Sequence, residues 1–203
     1  MCYTKEDSIR AYGLGVLSSI ALFYYSENAS LKVIALFLLF VSQMQLLDFG
    51  LWQRKDCDDG NELLTKLAIT LNHLQPIVLS ALQIFYSIPQ SPLSLVTLGL
   101  YCLALIPYSI HAYTNVKCTL QEGPILHWKW NYLQYSIPFY SIFLLHFLTA
   151  CLNFPELEIK VLGALVAVFT FFTATKMPFL NESLGRAWCY LASVAPLVFM
   201  LLD

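Results

Sequence analysis

The sequence predicts an all-α polytopic membrane protein with seven transmembrane helices and a cytosolic N-terminus. Three observations carry that expectation. Of the 203 residues, 58% are hydrophobic and 12% are charged, whereas soluble chains average roughly half apolar and a quarter charged. The charges gather in short clusters, and the uncharged runs between them are each close to the ~20 residues a helix needs to cross hydrocarbon. Lysine and arginine, finally, fall almost entirely on one side once successive connections are assigned to alternate faces. A single transmembrane domain over 1–203 is expected, and a net charge of −2 gives no general attraction to nucleic acid.

The polar segment 1–12 leads into the first span, about 11–26, which ends at Glu27-Asn28-Ala29-Ser30. The first span lacks a convincing small-residue cleavage site, so no cleavable signal peptide is expected. The second span, about 31–53, runs into Arg54-Lys55-Asp56-Cys57-Asp58-Asp59-Gly60. That run lacks the alternate-position ligands and closing Glu of a calcium loop, and reads as a solvated charge cluster. The third span, about 62–87, contains Pro76, which cannot donate a backbone hydrogen bond and should kink the helix. A short uncharged turn, Ile88-Pro89-Gln90-Ser91-Pro92, makes the fourth span, about 93–113, its antiparallel neighbour. Thr114 to Tyr132 is the longest connection, and its Trp128-Lys129-Trp130 triplet suits the headgroup layer. Spans five to seven are read at about 135–153, 159–175 and 182–202.

With seven spans, one face takes Lys5, Arg10, Arg54, Lys55, Lys66, Lys117, Lys129, Lys176 and Arg186, and the other only Lys32 and Lys160. The positive-inside rule then puts the nine-residue side, with the N-terminus, in the cytosol, and Asp203 in a lumen or outside. Cys2, Cys57 and Cys118 fall on that reducing side, and with no CxxC spacing they are expected as free thiols. Asn28-Ala29-Ser30 becomes a lumenal glycosylation sequon lying close to the bilayer.

Asp48 is the sole acidic residue inside a strongly apolar run, and an ionisable group at membrane depth is read as functional by default. Gln45, Asp48 and Trp52 share one face of span two; Asn72, Gln75, Pro76 and Gln83 share one face of span three. The candidate ligand-binding set is Gln45, Asp48, Asn72, His73, Gln75, His111 and Arg186, around a polar pocket opening toward the cytosol. Arg186, His73 and His111 are the partners proposed for the carboxylate, although Glu182 and Arg186 at i, i+4 also suit each other. The competing reading of the amides is interhelical glue, about 1 kcal/mol each. The lumenal half offers His146, Thr149, Asn153 and Gln83 and little else, which disfavours a wide aqueous pore.

Enzyme signatures are sparse. His73, His111, His127 and His146 stand singly, with no HxxxH or HExxH pair, no GxSxG elbow, and no lysine beyond Arg186 in the last span for a retinal Schiff base. Three functions stay open: solute or ion transport with Asp48 as the titratable or cation-binding group, a membrane-embedded lipid-modifying enzyme, and a non-catalytic scaffold. The expected partners are the bilayer and a small solute, ion or lipid; an oligomer is compatible, and the residues name no particular cofactor.

Met1 to Ser8, the stretch from Gln43-Met44-Gln45 to Trp52, Leu71-Asn72-His73-Leu74-Gln75-Pro76 and Leu184-Gly185-Arg186-Ala187-Trp188-Cys189 together resemble a group of multi-span membrane proteins encoded by large DNA viruses. The resemblance implies residence in a host or virion membrane. The group carries no assigned activity, so no catalytic residue or cofactor follows from it.

Overall fold

The computed structural model describes residues 4–122, 125–174 and 193–202. Six α-helices follow one another: α1 Lys5–Tyr25, α2 Ala29–Trp52, α3 Asp59–Phe85, α4 Pro92–Asn115, α5 Ser136–Cys151 and α6 Leu157–Ala174. Each overlaps one apolar run of the sequence. Residues 193–200 are also helical, while most of the run read as the seventh span lies outside the described residues. Among the described residues three helices, α2, α3 and α4, are long and apolar enough to cross a membrane.

The helices start where capping chemistry allows. Thr4, Asn28, Asp58 and Ser91 stand at the N-caps of α1 to α4, and each side-chain oxygen accepts from an otherwise orphaned backbone N–H. Pro92 opens α4 at the first helical position, where its missing donor costs nothing. The α3 C-terminus closes through Ser87 in the left-handed region, φ 57°, which turns the Ile88 N–H back onto the Gln83 carbonyl at 2.8 Å.

Successive helices pack on each other, and α5 also reaches α3. Two ends of the bundle are defined by bonds between distant connections. At one end Asn61, just inside α3, donates to the carbonyls of Arg54 and Thr119, and the Thr119 N–H donates to Asn61 Oδ1 at 3.0 Å. At the other end Asn28 Nδ2 donates to Glu156 Oε1 at 2.8 Å, and Asn153 Oδ1 accepts the Ser91 N–H at 3.0 Å. The α2–α3 and α4–α5 connections therefore share one end, and the α1–α2, α3–α4 and α5–α6 connections the other.

The polarity of α3 and α4 is inverted relative to helices of a soluble bundle. The buried stripe of α4 is Ser94, Thr97, Tyr101, Tyr108 and Ala112. Its outer face carries Val96, Leu100, Leu103, Ile106 and Ile110, with Leu103 76% exposed. On α3, Asn61, Thr65, His73, Gln75, Ser80 and Gln83 are buried while Leu63, Leu67, Ile84 and Phe85 face out. Exposed aliphatic stripes of this length are costly in water and suited to hydrocarbon.

Two expectations need correction here. Cys57 and Cys118 are not free thiols: they form a disulfide between the α2–α3 and α4–α5 connections, with Cα atoms 5.6 Å apart. Chain spacing could not reveal this, because 61 residues separate the pair and only the antiparallel α3–α4 hairpin brings its ends together. The Trp128-Lys129-Trp130 triplet is not a headgroup belt either. Trp130 is fully buried and Trp128 nearly so, with the exposed Lys129 between them. A two-stranded ladder, Gln121–Glu122 with Ile125–Leu126, and a 3-10 turn, Lys129–Tyr132, fold the long connection back into the end of the bundle.

Candidate functional site

Asp48 lies on the inner face of α2 and is 1% exposed. Its Oδ1 accepts the Trp128 indole N–H at 3.2 Å. Trp128 stacks on Trp130 with ring centroids 5.2 Å apart and planes 20° apart. The Trp130 carbonyl in turn accepts the Tyr108 hydroxyl from α4. A pair of indoles contributed by the connection therefore caps the carboxylate and joins it to the aromatic centre of the bundle. Gln45, one turn before Asp48, is also buried.

His73 occupies that aromatic centre. Its ring lies 4.9 Å from Phe139, 5.6 Å from Tyr108 and 6.3 Å from Tyr140, centroid to centroid. Nδ1 shares a hydrogen bond with Ser109 Oγ at 2.9 Å, while Nε2 is buried with no hydrogen-bond partner among the described residues. Pro76 removes the donor that would have met the Asn72 carbonyl, and the neighbouring His73 carbonyl accepts the Tyr101 hydroxyl at 2.6 Å. Asn72 Oδ1 accepts from the Tyr140 hydroxyl at 3.0 Å, and that hydroxyl also reaches Asn131 Oδ1 at 2.6 Å.

The proposed site residues thus separate into groups. Asp48 meets Trp128, Asn72 meets Tyr140, and His73 meets Ser109; Trp128, Trp130 and Tyr108 connect Asp48 to His73. His111 bonds Asn115 on its own helix, 3.1 Å from Nδ1 to Nδ2. Gln75 is buried without a hydrogen bond among the described residues. Arg186, with its neighbour Glu182, lies outside the described residues. Among the described residues no group of three His, Cys, Asp or Glu side chains could hold a metal ion.

The other half of the bundle is more polar than the sequence suggests. His146 on α5 meets Ser80 of α3 at 2.9 Å through Nε2 and Thr97 of α4 at 3.2 Å through Nδ1. Thr97 also pairs with Thr149 at 2.7 Å. Gln83 donates to the Ala150 carbonyl, and Asn153 donates to Gln83, Gln90 and Ser94. Three helices are cross-linked here by side chains that satisfy one another. Asn28, whose sequon is also at this end, has both amide atoms occupied: Oδ1 caps α2 and Nδ2 holds Glu156.

Sequence reasoning missed Trp128, Trp130, Tyr101, Tyr108 and Tyr140. The two α4 tyrosines carried a usable signal, since with Thr97 they recur at i, i+4 and i+11 opposite an aliphatic face. Compared with family models, curated proteins and solved structures, the chain matches none of them.

Proposed function

We propose that the chain is a multi-pass integral membrane protein of seven spans, N-terminus in the cytosol, that acts as a non-catalytic membrane scaffold. The inverted polarity of α3 and α4 supports the bilayer setting, and the nine-to-two division of lysine and arginine supports the orientation. The observation that carries the scaffold reading is the seal over Asp48: its carboxylate is roofed by Trp128 and Trp130 instead of opening into water. Asn72 with Tyr140, His73 with Ser109, Ser80 with His146 and Thr97 with Thr149 bridge helices pairwise, as glue does in hydrocarbon, at about 0.6 kcal/mol per bond. Following the motif resemblance, we place the protein in a host or virion membrane.

A second reading, ion or small-solute handling, is favoured by one feature, the buried Nε2 of His73, without a hydrogen-bond partner among the described residues, in the same aromatic cluster. Flux into liposomes separates the two. The scaffold predicts no flux above empty vesicles for wild type or Asp48→Asn. Flux in wild type that disappears in Asp48→Asn would replace it with transport.

A further inference from the structure

We propose that the cleft at the end of the α2–α3 hairpin binds a glycerophospholipid with a zwitterionic, primary-amine headgroup. The proposal rests on the membrane setting above and adds a ligand to it. The cleft measures about 540 Å³ and lies between an apolar wall, Leu46, Phe49 and Leu64, and a charged rim that includes Lys55 and Asp56. That volume falls within the range of ligand sites, roughly 300–1,000 Å³.

Local sequence explains the shape. Leu46, Phe49, Gly50 and Gln53 recur at i, i+3, i+4 and i+7, so one stripe of the last two turns of α2 forms the wall. Gly50 admits α3: a Cβ at that position would stand 3.0 Å from Leu64 Cδ1. The 24 residues of α2 extend about 36 Å at 1.5 Å per residue, slightly more than the ~30 Å hydrocarbon thickness. Its last turns therefore reach the outermost acyl carbons, and the loop beyond Gln53 reaches the headgroups.

The rim chooses the headgroup. Arg54 and Asp58 neutralise each other, Nη1 to Oδ2 at 2.8 Å, and the guanidinium lies over Gly60. Lys55 and Asp56 are exposed, line the cleft and have no ion-pair partner among the described residues. One cation and one anion side by side match a phosphate followed by an ammonium. A net anionic headgroup would meet Asp56 with like charge. A quaternary ammonium would bring no N–H donor to that carboxylate, which favours phosphatidylethanolamine over phosphatidylcholine.

The test uses the full chain in nanodiscs containing equal parts dioleoyl phosphatidylethanolamine, phosphatidylcholine and phosphatidylglycerol, with retained lipid read by native mass spectrometry. Wild type is expected to retain phosphatidylethanolamine about three- to five-fold over the other two, the scale of one or two interfacial ion pairs, and Lys55→Gln/Asp56→Asn to lose that preference. Both positions are exposed, so the melting temperature should hold. Equal retention of the three lipids by wild type, or an undiminished preference in the double variant, would overturn the proposal. So would full competition by soluble glycerophosphoethanolamine, which would assign no role to the apolar wall. Alkaline extraction is run alongside: release of the chain from the bilayer refutes the membrane setting, whereas retention without lipid preference refutes the lipid site alone.

Discussion

The carboxylate of Asp48 and the indole of Trp128, 80 residues apart in the chain, meet at 3.2 Å in a buried environment. A hydrogen bond to a buried carboxyl oxygen contributes about 0.5–1.5 kcal/mol when the carboxyl is neutral and about 1.5–3 kcal/mol when it is charged, and losing the donor leaves a buried acceptor unsatisfied. Trp128→Phe, which removes the N–H and leaves a smaller ring over Trp130, is expected to lower stability by at least that amount. Asp48→Asn retains an acceptor oxygen and should be milder than Asp48→Leu. Thermal unfolding in detergent, followed by tryptophan fluorescence, ranks the three variants.

His146 joins three helices by bonding Ser80 and Thr97 from its own position on α5. Replacing it by Ala removes both bonds and leaves two hydroxyls in hydrocarbon-like surroundings. A loss of about 1–3 kcal/mol is expected. Ser80→Ala in the His146→Ala background should add little, a non-additivity that a double-mutant cycle measures directly.

The Cys57–Cys118 bond closes a loop of 61 residues, for which the chain-entropy argument gives a ceiling of about 4 kcal/mol. Reductant should lower the melting temperature of wild type and leave Cys118→Ser unchanged. The bond also lies on the lysine- and arginine-rich end, and two rules pull in opposite directions there. Charge asymmetry places that end in the cytosol, while disulfides persist in oxidising compartments. With the cytosolic orientation, cells lysed into alkylating reagent should yield both cysteines alkylated as thiols, the bond closing only on exposure to oxidant. Finding them already joined in the cell would reverse the orientation.

Asn28 and Glu156 hold the opposite end together. Burial works to raise the Glu156 carboxyl, but hydrogen bonds from Ser30 and Asn28 and the charge of Lys160 outweigh it and hold the group below its ordinary range. A depressed carboxyl contributes stability above its unfolded value, about 4.3, and loses it as pH falls through the folded value. The melting temperature should therefore drop on acidification below about pH 4, and Glu156→Gln should flatten that drop. Because the Asn28 amide is engaged at both ends, Asn28→Gln is expected to leave gel mobility unchanged, with no glycan to lose.

Helix positions were legible because apolar runs and capping residues are local signals: Asn28, Asp58 and Ser91 mark starts in the sequence itself. Asp48 stood out for the same reason, a charge among aliphatics. Its partner did not, because Trp128 sits in a connection whose aromatic and cationic composition equally suits a headgroup belt, and only the fold-back through residues 121–132 brings it inside. His73 could be named as a candidate from its place near Pro76, but not its companions: Ser109, Tyr108 and Phe139 come from two other helices, and relative rotation of helices is not written in any one of them. The Cys57–Cys118 pair was hidden by separation and by reasoning from compartment to chemistry.

Hydrogen–deuterium exchange at the Trp128 indole N–H, assigned by its loss in Trp128→Phe and followed by NMR in a reconstituted bilayer, reports directly whether water reaches Asp48. A sealed carboxylate predicts protection lasting hours, with exchange only through opening of the bundle. Exchange as fast as that of a solvent-exposed indole would show an aqueous pocket beneath the two tryptophans and contradict the scaffold.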